Sequence, residues 1–130
     1  MKIEDKVKYI AEVARNIKDV EDYNLFIEFL KMLIMKKDHR KGIYTFLEDC
    51  TKRDIDIVYD SLVSIINRTK ILGDKKWIFA KSLVSHKFIK KGDFLIFSYK
   101  KGDLYAFLDA KDINSTHILE KGEFYFLNSK

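Results

Sequence analysis

The chain predicts an α+β fold: an N-terminal antiparallel helical bundle over residues 1–72, then a small antiparallel β domain over residues 73–130. Three observations carry this. Apolar residues recur at helical spacing through the first half, as in Ile55, Val58, Tyr59, Leu62, Ile65 and Ile66. That periodicity changes after Gly73. The last third repeats one phrase, Lys-Gly-acid, at Lys91-Gly92-Asp93, Lys101-Gly102-Asp103 and Lys121-Gly122-Glu123, each ahead of an apolar, aromatic-rich run. Glycine turns at positive φ without steric strain, and the runs that follow read as strands.

Taken in order, Val7, Ile10, Ala11, Ala14 and Ile17 predict an amphipathic helix with Lys8, Glu12 and Arg15 outside. The acidic stretch Asp19–Asp22 suits a helix junction, with Asp22 as the expected N-cap. The next helix, Tyr23 to Lys37, is apolar around nearly its whole circumference and requires cover on more than one side. Neighbouring helices or a subunit partner could supply that cover. Residues 36–42 form a charged break, and Ile43, Phe46 and Leu47 predict a further helical turn or two. Thr51 and Asp54 have capping-box spacing and open a helix that ends at Leu72-Gly73.

Trp77, Ile78 and Phe79 begin the β region, and Ser82 to Lys87 reads as a loop. Phe94–Phe97 and Leu104–Leu108 flank Tyr99-Lys100-Lys101-Gly102, which reads as a hairpin turn. Asp109 is placed to cap a short helix from Ala110 to Leu119, with Ile113 and Leu119 inward. Phe124–Leu127 closes the module.

Composition bounds the function. Residues 1–72 carry 14 Lys and Arg against 13 Asp and Glu, a balance of +1; residues 73–130 carry 11 against 7, a balance of +4. A basic β module could meet phosphates, although lysines equally protect sheet edges. Apolar residues make up 47% of the chain, enough for a packed core. The longest apolar run, Leu25–Met35, carries Glu28 and Lys31 and is too short to cross a bilayer. The single Cys50 permits no intrachain disulfide, and the charged start MKIEDKVKYI lacks a leader's apolar stretch. A cytoplasmic protein is expected.

The chain shows no constellation for catalysis. The candidate metal ligands His39, Cys50, His86 and His117 lack paired spacing, so neither a metal nor a cofactor is expected. Asp38-His39 could belong to a catalytic dyad, but no nucleophile accompanies it. Asp56 and Asp60 form a like-charge pair at i, i+4 that a cation would relieve. Phe94, Phe97, Tyr99, Tyr105 and Phe107 interleave with lysines; on an open sheet they could stack bases, and in a closed one they fill the core.

One run of residues has a counterpart elsewhere. It comprises Phe88, then Tyr99-Lys100-Lys101-Gly102-Asp103, then Ala110 to Ile118-Leu119-Glu120-Lys121-Gly122, then Glu123 to Leu127. It resembles the small β domain of the GINS family, the replication-helicase accessory complex. Upstream, Arg40-Lys41-Gly42-Ile43, Thr51 and the helix Asp54–Leu72 resemble that family's basic helix break and last long helix. Phe107-Leu108-Asp109 stands where the family often has Leu-Pro.

The resemblance implies a non-catalytic, oligomeric scaffold. Its helices would pack on another GINS-type subunit, and its β domain would dock the replicative helicase or a RecJ-like protein. Phe26, Phe29, Leu30 and Leu33 are then expected in the helical core and subunit interface, and Lys100, Lys101 and Asp103 on the docking face. The alternative is a small basic nucleic-acid-binding regulator, winged-helix-like or with a Lys-rich hairpin. Its contacts would be Lys90, Lys91, Lys100 and Lys101.

Overall fold

The computed structural model describes residues 1–38, 40–69, 79–86, 88–110 and 112–127. Four helices precede a five-stranded antiparallel sheet, an α+β layout. The helices are α1 (Ile3–Arg15), α2 (Val20–Leu33), α3 (Ile43–Glu48) and α4 (Lys52–Thr69). The strands are β1 (Phe79–Ser82), β2 (Phe94–Lys101), β3 (Leu104–Asp109), β4 (Asp112–Glu120) and β5 (Phe124–Phe126). The chain forms two compact units, Met1–Ser64 and Ile65–Ser129. The expected helix end at Leu72-Gly73, the strand start at Trp77-Ile78, the loop residue Lys87 and the dyad member His39 lie outside the described residues.

In the helical unit, Ile10, Ala14, Phe26, Leu30, Val58 and Leu62 are fully buried. Thr51 and Asp54 form the expected reciprocal cap. The Thr51 N–H donates to Asp54 Oδ2 at 3.0 Å, and the Asp54 N–H donates to Thr51 Oγ1 at 3.1 Å. Lys6 of α1 donates to Asp56 at 2.8 Å, providing the cation that the Asp56/Asp60 pair needs. Its ammonium pKa is raised, chiefly by that hydrogen bond.

Helix α2 departs from expectation at both ends. It starts at Val20, and Asp19 rather than Asp22 is the cap, accepting the Asp22 N–H at 3.0 Å. Asp19 has the extended backbone that a cap requires, whereas Asp22 is already helical. The helix stops at Leu33, short of Lys37, in a Schellman motif. The Lys36 N–H donates to Lys31 O at 2.9 Å and the Met35 N–H to Met32 O at 3.1 Å, with Met35 at φ 55°. Lys31, almost fully buried, secures the chain that follows by donating to Arg40 O at 2.6 Å and Asp38 O at 3.1 Å.

In the β unit the strand order is β4-β3-β2-β1-β5, a four-strand meander with β5 returned beside β1. The sheet is rolled. Flat strands sit about 4.8 Å apart, so β3 and β5 would lie roughly 14 Å from each other. Instead Phe107 and Phe124 meet with ring centroids 4.7 Å apart, and Tyr105 and Phe124 at 4.8 Å. Three residues suffice to join the two outermost strands, β4 ending at Glu120 and β5 starting at Phe124. The rolled interior holds Ala80, Ile89, Leu95, Phe97, Phe107, Leu119 and Phe124.

One expected element is replaced. Residues 112–120 form strand β4, where a short helix from Ala110 to Leu119 was expected. Asp109 belongs to β3 and caps nothing helical. Lining β3 from Leu104 to Leu108, β4 engages its backbone groups in a ladder that an isolated helix in this small unit could not match.

Candidate functional site

The three Lys-Gly-acid phrases fold in two ways. Gly92 and Gly122 hold the second central position of their turns at φ 91° and 99°, the type II pattern. In both, the acid reaches back three residues: Asp93 accepts the Lys90 N–H at 2.9 Å, and Glu123 accepts the Glu120 N–H at 2.8 Å. Those carboxylates are structural. Gly102 instead occupies the first central position at φ 59°, followed by Asp103 at negative φ, the type II′ hairpin pattern. The turn is therefore Gly102-Asp103, and Tyr99, Lys100 and Lys101 belong to β2 rather than to the turn.

A β-bulge sets which way these side chains face. Phe97 pairs with Phe107, but Tyr99 pairs with Ala106, so Ser98 is an extra residue. Strict alternation would send Tyr99 inward. The bulge turns it to the outer face, half exposed, and swings Lys100 onto the side of Tyr105. There the Lys100 ammonium lies 5.1 Å from the Tyr105 ring centroid, a cation–π contact.

Lys100, Asp103, Tyr105, Glu120 and Lys121 together line an open cleft of about 440 Å³ at this end of the sheet. Among the described residues its two lysines and two carboxylates form no ion pair with one another. Each charge thus remains available to an incoming group.

The other expected site residues are dispersed. Phe26, Phe29 and Leu30 are buried in the helical unit and Leu33 is half-buried, so the first three have no surface to offer a subunit. Lys90 and Lys91 sit in the turn that leads into β2, and Lys100 and Lys101 at the far end of that strand, separated by roughly 20 Å of extended chain. They do not form one basic patch. Phe94, Phe97 and Phe107 are buried, which removes them from a base-stacking platform; Tyr99 alone of the five is exposed.

Groups with catalytic character are engaged elsewhere. Asp38 accepts the Arg40 N–H at 2.6 Å, a bond that holds its carboxyl below the usual carboxylate range, aided by the Arg40 guanidinium. Burial, then the nearby Asp54 carboxylate, pushes the Cys50 thiol up to about 11. Among the described residues no three His, Cys, Asp or Glu side chains gather as a metal site.

A second feature was hidden in the sequence. Tyr99, Leu104 and Ile118 are exposed apolar neighbours on the outer face. Finding them required the bulge at Ser98 and the strand at 112–120. The one available signal was the β-branched pair Thr116 and Ile118 at a spacing of two. No family model, curated protein or solved structure matches the chain.

Proposed function

We propose that this chain is a non-catalytic assembly subunit of a GINS-like replication complex, and that its β unit docks a helicase-associated protein at the hairpin end. The observation that carries the reading is the cleft of Lys100, Asp103, Tyr105, Glu120 and Lys121, where unpaired charges of both signs surround an aromatic ring. Mixed charge suits a protein partner better than a polyanion, because Asp103 and Glu120 would repel phosphates. The order of helical and β units also supports it. The strand at 112–120 removes the short helix from the resemblance, which then rests on the Lys-Gly turns and the upstream helices. The expected setting is cytoplasmic.

Affinity capture from the host's nuclease-treated lysate, read by mass spectrometry, tests this. Recovery of a replicative helicase, a RecJ-like protein or another GINS-type subunit, lost in a Lys100→Glu/Asp103→Lys variant, supports the reading. Recovery that vanishes with nuclease in the wild-type protein overturns it in favour of a nucleic-acid binder.

A further inference from the structure

At the hairpin end, the outer face of β2, β3 and β4 carries two cross-strand rows beyond the row of Ile96, Leu108 and Thr116, in which Ile96 is fully buried. Residues directly opposite in antiparallel strands share a face, so Tyr99, Ala106 and Ile118 form one row and Lys101, Leu104 and Glu120 the next. Tyr99 and Ile118 are each 50% exposed and Leu104 44%, while Ala106 between them is 1% exposed. The patch is an apolar saddle with a small residue at its centre, a cation on the β2 side and an anion on the β4 side.

This arrangement is its own complement. A two-fold axis lying in the contact plane, parallel to β3, exchanges the β2 side of one copy with the β4 side of another. Lys101 then faces Glu120 of the second copy, and Glu120 faces its Lys101. Tyr99 meets Ile118, and the Leu104 and Ala106 positions meet themselves. Tilting each strand slightly about the axis accommodates the usual crossing of about 30° between packed sheets. We propose that this face associates with a second copy of the chain, sheet against sheet. Glu120 also lines the cleft, whereas Lys101 does not, so the Lys101→Glu variant tests this face separately from the cleft. An acidic or a basic partner would satisfy only one of the two flanking charges, whereas a second copy satisfies both.

The patch is smaller than the roughly 20–30 residues per side of a stable interface. The dimer is therefore weak, with its transition between about 10 μM and 1 mM. Sedimentation equilibrium across that range tests it. The expected wild-type result is a molar mass rising with concentration from 15.4 kDa toward twice that value. Lys101→Glu and Glu120→Lys, on side chains at the surface, each set like charges face to face and should weaken association about tenfold. Mixing the two variants restores opposite charges at both positions and should recover the wild-type association, a result that a merely structural effect could not produce. Circular dichroism confirms that each variant is folded. A wild-type protein that stays at 15.4 kDa throughout, or folded single variants that associate unchanged, overturns the proposal. So does a mixture of folded variants that fails to recover.

Discussion

Met35 is the one described non-glycine residue at positive φ, and its side chain is 89% exposed. A left-handed backbone is strained for a residue with a Cβ, and the C′ position of a Schellman motif ordinarily takes glycine. Met35→Gly should stabilise the helical unit by about 1 kcal/mol, seen as a higher urea midpoint. Phe29 is nearly solvent-free, so Phe29→Asp places a carboxylate in the core. It should abolish the cooperative helical signal in circular dichroism, whereas a purely interfacial residue would change only the molar mass. Asp38 is titrated downward in the folded chain, so its contribution is present above the unfolded carboxylate range and is lost as pH falls through the folded value. Asp38→Asn should flatten the acid limb of a stability–pH profile below about pH 4, the ordinary carboxylate range. The raised Cys50 thiol should react slowly with iodoacetamide at pH 7. At this scale the Thr51/Asp54 cap was legible, because its spacing is local. The choice of Asp19 over Asp22 was not, since both are acids able to cap and only the backbone decides.

Among the elements, β4 shows most clearly why periodicity misleads. His117 lies on the same side as Phe107 and the interior, while Ile118 points outward. A polar residue inside and an apolar one outside invert the alternation that identifies a strand. Ala110, Ile113 and Leu119 then mimic a helical stripe behind an apparent cap at Asp109. The Lys-Gly turns were readable because positive φ restricts the residue choice so strongly. Their two geometries were not, because one tripeptide fits both. A Cβ at Gly122 meets nothing within 4 Å, so Gly122→Ala should cost about 1 kcal/mol through backbone strain alone, checked by thermal unfolding. The bulge gives a sharper test. Deleting Ser98 removes the extra residue and leaves Tyr99 next to Phe97, still opposite Ala106 on the outer face, so the access of acrylamide to Tyr99 should be unchanged, measured by fluorescence quenching in a variant in which Trp77 and the other tyrosines are phenylalanine.

For the whole molecule, the α+β layout followed from the change of hydrophobic period, a property summed over many residues. The site did not, because the cleft and the outer patch draw on β2, β3 and β4 together with a register shift that no local window contains. The apolar girth of α2 calls for cover by neighbouring helices or by a partner, and the protein's own packing buries Phe26, Ile27, Phe29 and Leu30. The rolled sheet also has a consequence in time. Ser82 pairs with Phe124, so seating β5 closes a loop of about forty residues, an entropic penalty that the short hairpins do not carry. The meander can form before β5, but until β5 arrives Tyr105 and Phe107 lack the ring that covers them. In pulse-labelled hydrogen exchange during refolding, amides shared by β1 and β5 should therefore gain protection after those of the β2–β3 hairpin. The interval between the two is a window in which newly made chains expose aromatic surface and are most open to capture by a chaperone.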